Sequence, residues 1–148
     1  MTLDHTAVAV RSIREALGLY RDALGGEYLM GGNMDTWRWL QVRYPEGGKV
    51  ELLQPLAEGF LTRFLDRYGE GLHHMTFKAE DIQAAIAHVE SQGYELVDVN
   101  LEGSHWKEAF LRPSGAHGTL VQIGWSSSPD DERPEELRPD LEELLGDA

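Results

Sequence analysis

A short alternating run built around a histidine occurs twice in this chain, 69 positions apart, and no other feature limits the fold so tightly. His5 lies in Leu3-Asp4-His5-Thr6-Ala7-Val8-Ala9-Val10, and His74 in Leu72-His73-His74-Met75-Thr76-Phe77-Lys78-Ala79. Both runs alternate as half-buried strands do. Each leads into helix-like periodicity, through Ile13 in the first and Ile82 in the second. The same offset pairs Leu3 with Leu72 and Ala16 with Ala85. A repeat of this length implies a duplicated supersecondary unit. It delivers one imidazole per copy, which is how a single chain can build one metal site about a pseudo-twofold axis.

At 148 residues, 41% of them apolar, the chain has material for one core or for two small halves sharing one. No stretch approaches the ~18–20 uninterrupted apolar residues of a membrane-spanning helix. The start, Met1-Thr2-Leu3-Asp4, lacks the basic and apolar regions of a signal peptide, so a cytoplasmic location is expected. There is no cysteine, which excludes disulfides, thiolate zinc sites and cysteine nucleophiles. The net charge is −13, but residues 126–148 hold nine acids and two arginines, −7 of that total, leaving −6 on the body. Nucleic acid needs a basic face and is not an expected partner. The segment 126–148 reads as a flexible, solvated acidic tail, ending in a short helix over Asp140–Leu145.

The periodicity predicts a strand over Leu3–Val10, then a helix from an N-cap at Ser12, with Glu15 completing a capping box. That helix should run to about Leu24 and stop at Gly25-Gly26. Three strands follow, around Tyr28–Met30, Trp37–Tyr44 and Lys49–Gln54, with turns at Gly31-Gly32-Asn33 and Pro45-Glu46-Gly47-Gly48. Residues 1–55 are thus a first β-α-β-β-β unit, and residues 56–71 a linker with a helix over Ala57–Tyr68. Residues 72–125 repeat the pattern: a strand over His73–Ala79, a helix over Asp81–Gln92, and strands over Leu96–Leu101, Trp106–Leu111 and Thr119–Ile123. The expected fold is α+β, two tandem β-α-β-β-β units forming a curled eight-stranded sheet around a central cavity.

The last strand of each copy adds an oxygen donor. Glu51 stands 46 residues after His5, and Gln122 stands 48 residues after His74. Glu51 sits on an otherwise apolar strand, where a carboxylate needs a partner; Arg38 or Arg43 could serve instead of a metal. Two imidazoles and two side-chain oxygens suit an octahedral Mn²⁺, Co²⁺, Ni²⁺ or Fe²⁺, or else Zn²⁺ or Mg²⁺.

Three segments, Leu3–Val10, Val50-Glu51-Leu52-Leu53-Gln54-Pro55 and Gly69-Glu70-Gly71-Leu72-His73-His74-Met75-Thr76-Phe77, together with Phe110–Gln122, resemble the vicinal-oxygen-chelate superfamily. This is the glyoxalase, bleomycin-resistance and extradiol-dioxygenase group, and the methylmalonyl-CoA epimerase branch looks nearest. The resemblance spans residues 3–124. It places His5, Glu51 and His74 on the family's metal positions and Gln122 where the epimerases carry a Glu. It also implies a homodimer. The epimerases' catalytic Glu falls at or beside Trp37, with no acid on that strand and Asp35 just ahead of it.

Glu108 is the replacement base that the sequence offers, and Lys107 a receiver for an anionic substrate group. Trp37, Trp39 and Trp106 would wall the substrate. His73 alternates away from His74, and His88 and His117 read as surface residues. Two functions fit these residues. One is a metal-dependent isomerase, epimerase or lyase acting on a small carbonyl or thioester compound. The other is a metal-free protein of the same fold that sequesters a drug or other small molecule, its tryptophans and acidic surface suiting a cationic aromatic ligand.

Overall fold

The computed structural model describes residues 1–146. Eight strands form one mixed sheet: β1 (Thr2–Ala9), β2 (Glu27–Asn33), β3 (Trp37–Arg43), β4 (Lys49–Pro55), β5 (Gly71–Lys78), β6 (Val97–Asn100), β7 (Trp106–Leu111) and β8 (Val121–Ser126), in the order β2-β3-β4-β1-β5-β8-β7-β6. Four α-helices accompany them: α1 (Ile13–Leu17), α2 (Phe60–Tyr68), α3 (Ile82–Ser91) and α4 (Leu141–Leu145). The architecture is the α+β, eight-stranded one that the repeat predicts. Among the described residues no helix is long and apolar enough to cross a membrane.

The duplication is visible in the strand register. In the first copy β1 runs parallel to β4 with Ala7 opposite Glu51, and β3 lies antiparallel to β4 with Gln41 opposite Glu51. In the second, β5 runs parallel to β8 with Thr76 opposite Gln122, and β7 lies antiparallel to β8 with Phe110 opposite Gln122. Ala7 and Thr76, and Gln41 and Phe110, are again 69 positions apart. The helix starts repeat too: Ser12 caps α1 through the Glu15 amide, and Asp81 caps α3 through the Ala84 amide.

The chain divides into two compact units, one of Met1–His5 with His73–Pro129, the other of Thr6–Leu72 with Asp130–Ala148. In the second of these, strand alternation sorts the core into two layers. Val8, Val10, Leu40, Val42 and Leu52 pack with Ile13 and Leu17 of α1, while Ala7, Ala9 and Leu53 pack with Leu61 and Leu65 of α2. In the other unit Ile123 packs with Ala79 and with Ile82 of α3, and Trp125 joins them.

Local departures from the expected elements have physical causes. After Leu17 the helix widens into a π-helical stretch, Gly18–Ala23, where the Leu24 amide bonds back to the Leu19 carbonyl at 2.9 Å. Gly25, at φ +79°, then ends it. The expected turn Gly31-Gly32-Asn33 is instead the end of β2, with Gly32 opposite Trp39 and Asn33 opposite Arg38. A Cβ at Gly32 would lie 2.8 Å from the Trp39 indole nitrogen, so a glycine there lets the ring lie against the strand.

The acidic segment, which its charge alone reads as solvated, lies against the unit of the first copy. Leu144 and Leu145 of α4 are buried in the layer that holds Leu40 and Leu52. Lys49 Nζ meets Asp130 at 2.6 Å and Arg43 meets Asp131 at 2.7 Å, so cations on β3 and β4 match the acids. Tyr28 donates to the Pro139 carbonyl, and Arg38 to the Leu145 carbonyl. Leu144→Ala is therefore expected to lower the unfolding free energy by ~2–4 kcal/mol, read as a drop in the urea midpoint. An unchanged midpoint would show the segment to be dispensable for stability.

Candidate metal centre

His5 sits on β1 and His74 on β5, both buried, with ring centroids 6.0 Å apart. Glu51, on β4 opposite Ala7, is also buried, and the ligand atoms of His5, Glu51 and His74 all lie within 4.8 Å of one another. Two imidazole nitrogens and one carboxylate at this spacing fit a divalent transition metal with positions left open.

Each donor is held by a neighbour. His5 Nδ1 is 2.8 Å from Asp4 Oδ2, and His74 Nδ1 is 2.9 Å from His73 Nδ1. In each ring Nδ1 is thus engaged by the preceding residue. Gln41 donates from Nε2 to Glu51 Oε2 at 2.8 Å, taking the place that sequence reading had offered to Arg38 or Arg43. Arg43 turns to Asp131, and Arg38 bonds Asn33 and the Leu145 carbonyl. Burial keeps His74 uncharged: it lowers the pKa from 6.5 to about 3, helped by His73 and His5 beside it. His73 is lowered to about 4, by burial alone.

Gln122 is buried on β8 at the register position equivalent to Glu51. Its Oε1 accepts from the Thr76 hydroxyl at 2.6 Å, and its Nε2 donates to Glu108 Oε1 at 3.0 Å. The Trp106 indole N–H donates to the same Glu108 oxygen at 2.8 Å. This array, Thr76–Gln122–Glu108–Trp106, lies on the face of β5, β7 and β8 that carries His74, since the four strand positions share one alternation phase. The Trp106 ring lies over Gly124, where a Cβ would collide with it.

Lys107 is not part of that face. Alternation turns it to the opposite side, where its Nζ sits 4.8 Å from the centre of the Trp125 ring. Lys107, expected as a receiver for an anionic substrate group, thus lies on the side away from Glu108. Trp37 and Trp39 share one side of β3, the side of Glu51 on β4, and are packed into the layer under α2, where Trp37 meets Phe60 edge-on at 5.5 Å. His73, expected to turn from His74, bends back to its ring. Asp4, Gln41, His73 and Thr76 are the residues that sequence reading left outside the site. Only the first and third carried a signal, being 69 positions apart and each just ahead of its histidine.

Known proteins share sequence and fold with this chain. A family model described as the glyoxalase/bleomycin resistance protein/dioxygenase superfamily matches residues 4–110. An uncharacterised protein of Bacillus subtilis, YqjC, is 31% identical over 126 residues, covering 82% of this chain and 89% of that one. The ethylmalonyl-CoA/methylmalonyl-CoA epimerase of Cereibacter sphaeroides is 31% identical over 137 residues, covering 82% and 95%. Among solved structures, methylmalonyl-CoA epimerase from Mycobacterium tuberculosis superposes with a TM-score of 0.78 at 26% identity, covering 86% of this chain and 89% of that one.

Proposed function

Because the chain belongs to the glyoxalase/bleomycin resistance protein/dioxygenase superfamily, we propose that it is a metal-dependent isomerase or epimerase that moves the proton α to the carbonyl of a coenzyme A thioester. The observation that carries the reading is a carboxylate, Glu108, pinned by two donors on the face that bears His74. His5, Glu51 and His74 would hold the cation, and Gln122, whose Oε1 accepts from Thr76, would be a fourth donor to it. A divalent ion held there would polarise a carbonyl oxygen and acidify the adjacent C–H.

The chain's own groups do the rest. Trp106 and Gln122 both donate to Oε1 of Glu108, which fixes the carboxylate and leaves Oε2 as the oxygen to accept the proton. The same oxygen can return it. The Trp106 ring lies over Gly124 beside the base and gives it an apolar neighbour. Glu108 stands 69 positions from Trp39 on the equivalent strand, so the carboxylate is carried by the second copy and the first carries an indole. Epimerisation needs the proton to return to the other face of the carbon, which one fixed carboxylate achieves only if the planar intermediate turns over. Exchange of the α-proton with solvent is thus the activity this site supports most directly.

The test follows exchange in D₂O by NMR, using methylmalonyl-CoA and ethylmalonyl-CoA with Co²⁺- or Mn²⁺-loaded protein. The expected result is α-deuterium incorporation that stops on chelation and resumes on adding the ion back. No incorporation with either thioester from the loaded protein would overturn the reading.

A further inference from the structure

We infer that Asp4 and His73 are a repeated pair of positioning residues that set the tautomers of His5 and His74, so that both rings present Nε2 to the cation. The inference rests on the metal reading above, and it extends that reading to two residues outside the donor set. The pair occupies equivalent places, 69 positions apart, each immediately before its histidine. Each contacts the same ring atom: Asp4 Oδ2 lies 2.8 Å and His73 Nδ1 lies 2.9 Å from the Nδ1 of the following residue. The chemistry of the two copies nonetheless differs.

In the first copy the tautomer is forced. An ionised carboxylate only accepts, so His5 carries its proton on Nδ1 and its lone pair on Nε2. Asp4 Oδ1 also lies 4.0 Å from Lys78 Nζ. In the second copy two ring nitrogens face each other, and one proton must lie between them. Two arrangements meet that demand with both rings neutral. In one, His74 donates from Nδ1 and keeps its Nε2 lone pair, while His73 carries its proton on Nε2. In the other, His73 donates, and His74 is protonated on Nε2 and cannot ligate.

Only the first arrangement leaves His74 a lone pair on Nε2, so a His74 that ligates beside His5 and Glu51 requires it. His73 is thus the acceptor that holds His74 ready. An imidazole acceptor polarises its donor less than a carboxylate does. The two halves of the repeat therefore supply chemically unequal nitrogens to one ion.

Two measurements on the full chain test this. The first is ¹⁵N NMR of histidine-labelled, metal-free protein, which distinguishes Nδ1–H from Nε2–H imidazole. The expected result is Nδ1–H for both His5 and His74 and Nε2–H for His73. His74 found as Nε2–H would overturn the inference, whether or not the protein binds metal.

The second is Co²⁺ affinity by competition with a chelator, for the parent, His73→Phe and His73→Asn. His73→Phe removes the acceptor and is expected to weaken binding ~10–100-fold. His73→Asn restores an acceptor oxygen and is expected to recover most of that loss. Equal affinity in all three proteins would overturn the inference. A parent that takes up no cation would overturn the metal reading, with the NMR result still deciding the tautomers.

Discussion

Glu108→Gln is expected to slow α-proton exchange by ~10²–10⁴-fold while leaving the cation in place. The substitution keeps the shape of the side chain and its reach to Trp106 and Gln122, but removes the oxygen that can take a proton. His5, Glu51 and His74 are untouched, so the bound ion should be retained. The pairing of a large rate loss with intact metal content separates a base from a residue that merely supports the site. Exchange within a few-fold of the parent would remove Glu108 from the mechanism. Lys107→Met, by contrast, is expected to leave exchange close to the parent rate, because its ammonium rests over Trp125 on the other face.

Acid should destabilise the metal-free protein well before its carboxylates titrate. His73 and His74 are held neutral in the folded chain, with pKa values of about 4 and about 3, chiefly by burial, against 6.5 when exposed. Their folded values are depressed, so the unfolded chain binds more protons between those limits. The contribution is fully present above pH 6.5 and is lost as the pH falls toward the folded values. Each pH unit costs ~1.4 kcal/mol for each such group, so between pH 6.5 and 5 the loss should be on the order of 2–4 kcal/mol. Urea midpoints measured with a chelator present should therefore fall steeply from pH 7 to pH 5. The fall should shrink by about half in His74→Gln, which has no proton to gain. A midpoint that is flat over this range in the parent would contradict the burial of neutral imidazoles.

Much of the fold was legible because its strongest signals are local and duplicated. Alternation around His5 and His74 gives the two central strands, and nearly equal spacings bring Glu51 and Gln122 to equivalent register positions. The same alternation already separated Lys107 from Trp106 and Glu108, and applied strictly it would have removed Lys107 from the candidate site. Other features were not local. Gly31-Gly32-Asn33 looks like a turn, yet the ladder continues through it because Gly32 makes room for Trp39 on the neighbouring strand.

The acidic segment hid its two core leucines behind charge, and its partners, Arg43 and Lys49, stand more than 80 residues away in sequence. His73 was assigned by strand direction alone, which fixes where a side chain leaves the backbone but not where a ring with two torsions comes to rest. Gln41 carried no sequence signal; only the antiparallel register of β3 on β4 sets it opposite Glu51.

The central claim is that His5, Glu51 and His74 together hold a divalent cation. Metal analysis of the purified, tag-free chain tests it, after incubation with Mn²⁺, Co²⁺, Ni²⁺ or Zn²⁺ and removal of excess, beside His5→Ala and His74→Ala. The account predicts about one ion per chain in the parent and none in either variant. No ion in the parent with any of these metals, or an ion retained in both variants, would contradict it.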